Sequence, residues 1–114
     1  MNLRDKHCKQ HPGKEDVLSI NQELELLKYI SGWKIDSSEA VHKLQKTFKS
    51  ETFIDSVNLL RDIALIAQSE QHHPDFHLSY TTLSLVLYTH KANGLTENDF
   101  IMASKIDALL EKRF

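Results

Sequence analysis

The chain has 114 residues, 40% of them hydrophobic, a formal net charge of −2 and a single cysteine. That is enough for one domain with a modest core, and the mixed charge gives no electrostatic case for nucleic acid or an anionic membrane as a partner. Cys8 alone excludes an internal disulfide, and no apolar run approaches the roughly 20 residues of a membrane span, so a cytoplasmic protein is the expectation.

Residues 1–17 are polar, hold Pro12 and Gly13, and read as a loose N-terminal tail ahead of a single domain over 18–114. His7, Cys8 and His11 cluster there, but three candidate ligands without a paired second half favour a plain polar tail over a metal site. Ser19-Ile20-Asn21-Gln22 reads as a capping box that opens a helix. Leu24, Leu27, Tyr29 and Ile30 supply its apolar stripe, and Gly32 ends it. Trp33-Lys34-Ile35 starts a short strand, Asp36-Ser37-Ser38-Glu39 turns the chain, and Leu44, Lys46 and Phe48 alternate with Gln45 and Thr47 as a second strand. Ser50 is the expected N-cap of the longest helix, about residues 51–70. There Phe53, Val57, Leu60, Ala64 and Ala67 recur at helical spacing and Ile54, Leu59, Ile63 and Ile66 widen the stripe, a surplus that suggests a partner subunit.

Residues 75–89, rich in Tyr, Thr, Leu and Val, read as one long strand or two short ones. Leu83, Leu85 and Leu87 share one face; Ser84, Val86, Tyr88 and His90 share the other, whose mixed character fits a partial pocket. Asn93-Gly94 makes a turn, and Thr96 with Asp99 opens a last helix whose buried stripe is Phe100, Ala103, Ile106 and Leu110. The order α-β-β-α-β-β-α predicts an α+β fold: an antiparallel sheet of four strands, or three longer ones, with helices on one face.

The chemistry concentrates in His72-His73-Pro74 and His90. Imidazole is the one side chain whose ordinary pKa, about 6.5, lets it donate and accept protons near neutrality. The proline holds His73 toward extended geometry, so the corner is a rigid mount for two rings. The alternative, that His72 and His73 merely complement the negative end of the preceding helix, accounts for one ring and leaves His90 unexplained. Adjacent histidines lack the four-residue spacing of a helical zinc site, no Gly-x-Ser-x-Gly elbow is present, and three glycines cannot build a phosphate loop. Trp33 and Tyr80 are candidates to stack on a flat heterocycle, although a lone tryptophan in a small domain is more often core.

Together these motifs become specific. Trp33, Leu44-x-Lys46-x-Phe48, the long helix read as Phe-rich, His72-His73-Pro74, Tyr80, Thr89-His90, Gly94-Leu95-Thr96, Asp99 and Ala103-x-x-Ile106-Asp107 follow one another in an order that resembles the pterin-4a-carbinolamine dehydratase family over residues 20–110. The resemblance implies dehydration of 4a-hydroxytetrahydropterin to quinonoid dihydropterin, which recycles the pterin used by aromatic amino acid hydroxylases, chiefly phenylalanine hydroxylase. It implies no metal and no cofactor. The family's catalytic histidines match His72, His73 and His90; its substrate-site residues match Trp33, Thr89, Asp99 and, at a position usually held by glutamate, Gln68. That amide can exchange hydrogen bonds but cannot ionise. Homodimers that extend one sheet, tetramers through the long helix, and in some members the binding of a transcription factor's dimerisation segment are also implied. A protein-interaction role is therefore the alternative to catalysis, and a catalytically weak pterin-binding protein a third reading.

Overall fold

A computed structural model describes residues 2–113. The elements are α1 (Ile20–Leu27), β1 (Lys34–Asp36), β2 (Lys43–Lys49), α2 (Phe53–Glu70), β3 (Asp75–Ser79), β4 (Thr82–Leu87) and α3 (Glu97–Arg113). The four strands form one sheet in the order β1-β2-β4-β3, every neighbour antiparallel. This is the expected α+β architecture. The stretch after Pro74 is two strands rather than one, because Tyr80 takes a left-handed φ of 53° and turns the chain back between Ser79 and Thr82.

Strand alternation sorts the sheet's faces. Leu44, Phe48, Leu83, Leu85 and Leu87 all point into the core, with Leu44 opposite Leu87 and Phe48 opposite Leu83. Gln45, Thr47 and Lys49 alternate outward and are exposed. Burying each such leucine contributes about 1.5–3 kcal/mol. Phe100, Ile101, Met102, Ala103 and Ile106 of α3 complete the same core cluster. α3 packs against α2 and against a short 3-10 turn, Leu3–Asp5, so more of its surface is enclosed than the expected single stripe.

Three local expectations need correction. The cap of α2 is Thr52, whose hydroxyl accepts from the Asp55 amide at 3.1 Å, while the Ser50 amide instead donates to the Thr81 carbonyl. The face of α2 turned to the core is Ser56, Leu59, Ile63, Ala67 and Glu70. Phe53, Ile54, Val57 and Leu65 are exposed. Both faces carry aliphatic residues, so helical periodicity alone could not choose between them. α1 keeps its Ser19–Gln22 capping box but ends at Leu27, and it buries Glu23 and Leu26, leaving Leu24 and Tyr29 exposed. The buried Glu23 is held by His42 Nδ1, 3.0 Å from its carboxylate oxygens. Gly32, at φ 80°, turns the chain toward β1 where the side chain of Lys46 leaves little room for a Cβ.

The N-terminal segment is polar but not loose. Leu3 is 2% exposed within the core cluster. Arg4 makes two 3.1 Å bonds to the Glu111 carboxylate and its carbonyl accepts from Lys105 Nζ. The Cys8 amide donates to Glu70 at 2.7 Å, and the Lys9 amide and carbonyl pair with the side chain of Asn98. Sequence polarity hid this because several of the anchors are backbone groups of Cys8 and Lys9 bonded to buried Glu70 and Asn98. No helix among the described residues is long and apolar enough to cross a membrane.

Candidate active site

α2 stops at Gln71, whose left-handed φ of 57° forms a C-cap, and both the Gln71 and His72 amides donate to the Ala67 carbonyl. Pro74 follows and bars any continuation of the helix. His72 emerges from this corner nearly buried, its Nε2 2.6 Å from Asp99 Oδ1. Asp99 is fully buried in the first turn of α3, where a carboxylate is favoured by the helix dipole. Its Oδ2 accepts from the Thr96 amide and from Thr89 Oγ1, each at 2.9 Å. The Thr89 proton is thereby used, so Thr96 Oγ1 donates to Thr89 Oγ1 at 2.8 Å. Because a carboxylate only accepts, His72 Nε2 carries the hydrogen. In the neutral ring Nδ1 then keeps its lone pair, and it has no hydrogen-bond partner among the described residues.

His73 is exposed and donates from Nε2 to Gln68 Oε1 at 3.3 Å. His90 opens a 3-10 turn just past β4. Its ring centroid lies 4.1 Å from that of Tyr88, tilted by 40°, and Lys43 Nζ sits 4.8 Å over the Tyr88 ring. The Thr89 amide donates to the Gly94 carbonyl at 2.9 Å, which closes the loop carrying His90. A Cβ on Gly94 would come 2.8 Å from Val17 Cγ2, so a side chain there would have to displace Val17 from the loop.

These elements meet at one open cleft of ≈ 430 Å³. His72, His73 and Pro74 line it from the end of α2, and Thr89 and His90 from the end of β4. The volume falls within the roughly 300–1,000 Å³ of small-molecule sites. A hollow of similar size, ≈ 460 Å³, lies between Arg4, Leu65, Ile66 and Lys105, but it has no imidazole. Sequence reasoning missed several cleft residues. Gln71, Asp75 and Lys91 flank the recognised histidines; Tyr88 also lines the cleft, as its place on the His90 face of the strand predicts. Gln10, His11 and Pro12 also line the cleft; they come from the segment read as a tail.

Other expected site residues lie elsewhere. Asp99 is fully buried behind His72 and is not on the cleft wall. Gln68 does not line the cleft, and its Oε1 accepts from His73, which does. Trp33 is core: it is 5% exposed, meets Phe48 edge-on at 6.5 Å and donates from Nε1 to Asp107 Oδ1 at 2.9 Å. Asp107 also accepts from the Ser31 amide and from Lys46, a buried knot that ties β1 and β2 to α3. Tyr80 is 72% exposed at the tip of the β3–β4 turn, apart from the cleft.

The N-terminal His7, Cys8 and His11 are sent in different directions. His7 Nδ1 is 2.8 Å from Glu70, the Cys8 thiol faces the Asn98 carbonyl, and His11 lies on the cleft. Burial, reinforced by the Glu70 charge, pushes the Cys8 thiol up to about 12, so it is a poor nucleophile. Burial alone would raise the Glu70 carboxyl. The Cys8 amide, His7 and Lys105 outweigh it and hold that group below its ordinary value.

Comparisons with known proteins agree with this architecture. Residues 16–109 match the family model for pterin 4 alpha carbinolamine dehydratase. A relative from Halorhodospira halophila, named a putative pterin-4-alpha-carbinolamine dehydratase, is 35% identical over 109 residues, covering 96% of this chain and 98% of its own. A mitochondrial pterin-4-alpha-carbinolamine dehydratase 2 from Arabidopsis thaliana is 37% identical over 86 residues, which is 75% of this chain and 46% of that protein. A crystal structure from Brucella melitensis, described as a transcriptional coactivator/pterin dehydratase, superimposes with a TM-score of 0.75 at 29% identity, covering 82% of this chain and 97% of its own. With the family model spanning most of the domain and relatives aligned along nearly its whole length, this chain belongs to the pterin-4-alpha-carbinolamine dehydratase family.

Proposed function

We propose that the cleft dehydrates a 4a-hydroxytetrahydropterin to the quinonoid dihydropterin and water, and so recycles the pterin of aromatic amino acid hydroxylases. The observation that carries this reading is the convergence of His72, His73 and His90 on one cleft, with His72 fixed by buried Asp99. In the reaction the C4a–O bond breaks and the N5–H proton leaves. The N5 electron pair then forms the C4a–N5 double bond. The departing hydroxyl needs a proton and N5 needs a base. His72, with Nε2–H committed to Asp99, presents Nδ1 as that base. His90 protonates the hydroxyl, and His73, steadied by Gln68, holds the ring by hydrogen bonding. Thr89 lines the cleft but spends its hydroxyl on Asp99, so it contributes to holding the dyad.

The test is direct. Freshly generated 4a-hydroxytetrahydropterin is mixed with the purified protein and formation of the quinonoid product is followed by absorbance. Turnover well above the spontaneous rate is expected; a rate equal to the protein-free control contradicts the reading.

A second reading rests on a different surface. Phe53, Ile54, Val57 and Leu65 leave an apolar face of α2 open, and the Brucella melitensis neighbour is described as a coactivator as well as a dehydratase. We propose that this face is covered by further copies of the chain in a homo-oligomer; in the interaction reading the same face takes a regulator's helix instead.

A further inference from the structure

The segment His7–Pro12 forms a strap across the molecule, outside the part of the chain that the family model matches. Its attachment is specific. The Cys8 amide and His7 bond to Glu70, and the Lys9 backbone makes two bonds with the Asn98 side chain, at 2.8 and 2.9 Å. Both partners are buried: Glu70 is 8% exposed and Asn98 3%. Glu70 ends the helix that delivers His72, and Asn98 adjoins Asp99. The strap is therefore pinned to the two elements that build the His72–Asp99 pair. Beyond these pins the chain turns at His11, which has a left-handed φ of 54° directly before Pro12. That conformation is uncommon for a residue with a side chain, and a following proline restricts it further. Strain of this kind persists where the surroundings over-determine it, often at a ligand site. Here it accompanies an imidazole on the wall of the cleft.

We propose that His11 is a fourth ligand-facing imidazole, and that the strap held by Glu70 and Asn98 makes it a substrate-binding residue for the pterin ring. This rests on the proposed dehydratase reading. The base and the acid are supplied by His72 and His90, so His11 serves affinity. One hydrogen bond to a bound ring changes affinity by a modest factor, and only KM should register it.

The test compares wild type with His11→Asn, because asparagine tolerates positive φ and removes the ring without straining the backbone. Glu70→Gln is the second variant; it weakens the pin without touching the cleft. Two quantities are read: steady-state dehydration, and equilibrium binding of 7,8-dihydrobiopterin, a reduced pterin without the 4a-hydroxyl. His11→Asn should raise KM and the dihydrobiopterin Kd about three- to tenfold with kcat within about twofold, and Glu70→Gln should move KM the same way. Wild-type turnover with unchanged KM and Kd in His11→Asn overturns the assignment and leaves the dehydratase reading standing. No wild-type turnover, with weaker dihydrobiopterin binding by His11→Asn, overturns the dehydratase reading and upholds His11. Wild-type protein that neither turns over nor binds overturns both.

Discussion

Replacing His90 with alanine is expected to slow dehydration by about 10²–10⁴-fold, the usual worth of a positioned general acid. The fold should barely respond. His90 is exposed, its ring packs on Tyr88, and the loop that carries it is closed by backbone bonds between Thr89 and Gly94. Surface substitutions of this kind usually change stability by no more than about 0.5 kcal/mol. The loss should therefore appear in kcat with an unaltered melting temperature. The measurement is the initial rate of quinonoid dihydropterin formation, corrected for the spontaneous reaction, beside a thermal melt. Undiminished turnover would remove His90 from the proton-transfer step.

Asp99→Asn should be nearly as damaging, for a reason that lies in hydrogen-bond direction. The Thr96 amide can only donate, so the one oxygen of the new amide must face it, as Asp99 Oδ2 does now. The NH₂ group then points at His72 Nε2, where Asp99 Oδ1 accepts at 2.6 Å. Two donors cannot share that contact, and the imidazole proton must move to Nδ1. The nitrogen meant to act as base becomes a donor. In a Ser-His-Asp triad the equivalent change costs about 10⁴ in kcat, and a fall of at least about 10²-fold is expected here. Loss of charge-assisted bonds to a buried carboxylate should also cost about 1.5–3 kcal/mol of stability. Steady-state rates, a denaturation curve and nitrogen NMR of the His72 tautomer together check this. Wild-type kcat, with the hydrogen still on Nε2, would contradict it.

What was legible in the sequence was local. Pro74 after two histidines, the Asn93-Gly94 turn, the alternation of Leu83, Leu85 and Leu87, and the Ser19–Gln22 capping box each declare their geometry over a few residues, and all appear as expected. Three helices and an antiparallel sheet of four strands, or three longer ones, follow from that level. What was not legible depended on distant partners. Nothing near Glu70 announces that it accepts the amide of Cys8, 62 residues earlier. The strap and His11 were therefore read as tail. The residue-level expectation that a lone tryptophan is core agrees with Trp33, whose ring nitrogen donates to Asp107, 74 residues away, whereas the substrate-site role implied by the resemblance does not place it on this cleft. Asp99 was legible as a residue of this region, but its full burial and its bond to His72 were not, because both depend on partners far along the chain. The rotation of α2 was hidden because the helix is aliphatic on two sides, one for the core and one left open.

The account stands on three imidazoles surrounding a single flat ring. The most direct measurement is histidine-resolved NMR of the wild-type protein titrated with 7,8-dihydrobiopterin. The ring resonances of His72, His73 and His90 should all move and saturate with one common Kd, while His42, bonded to Glu23 on α1, stays in place. Saturable binding that leaves any of the three unmoved, or that shifts them with different affinities, would contradict a shared pocket.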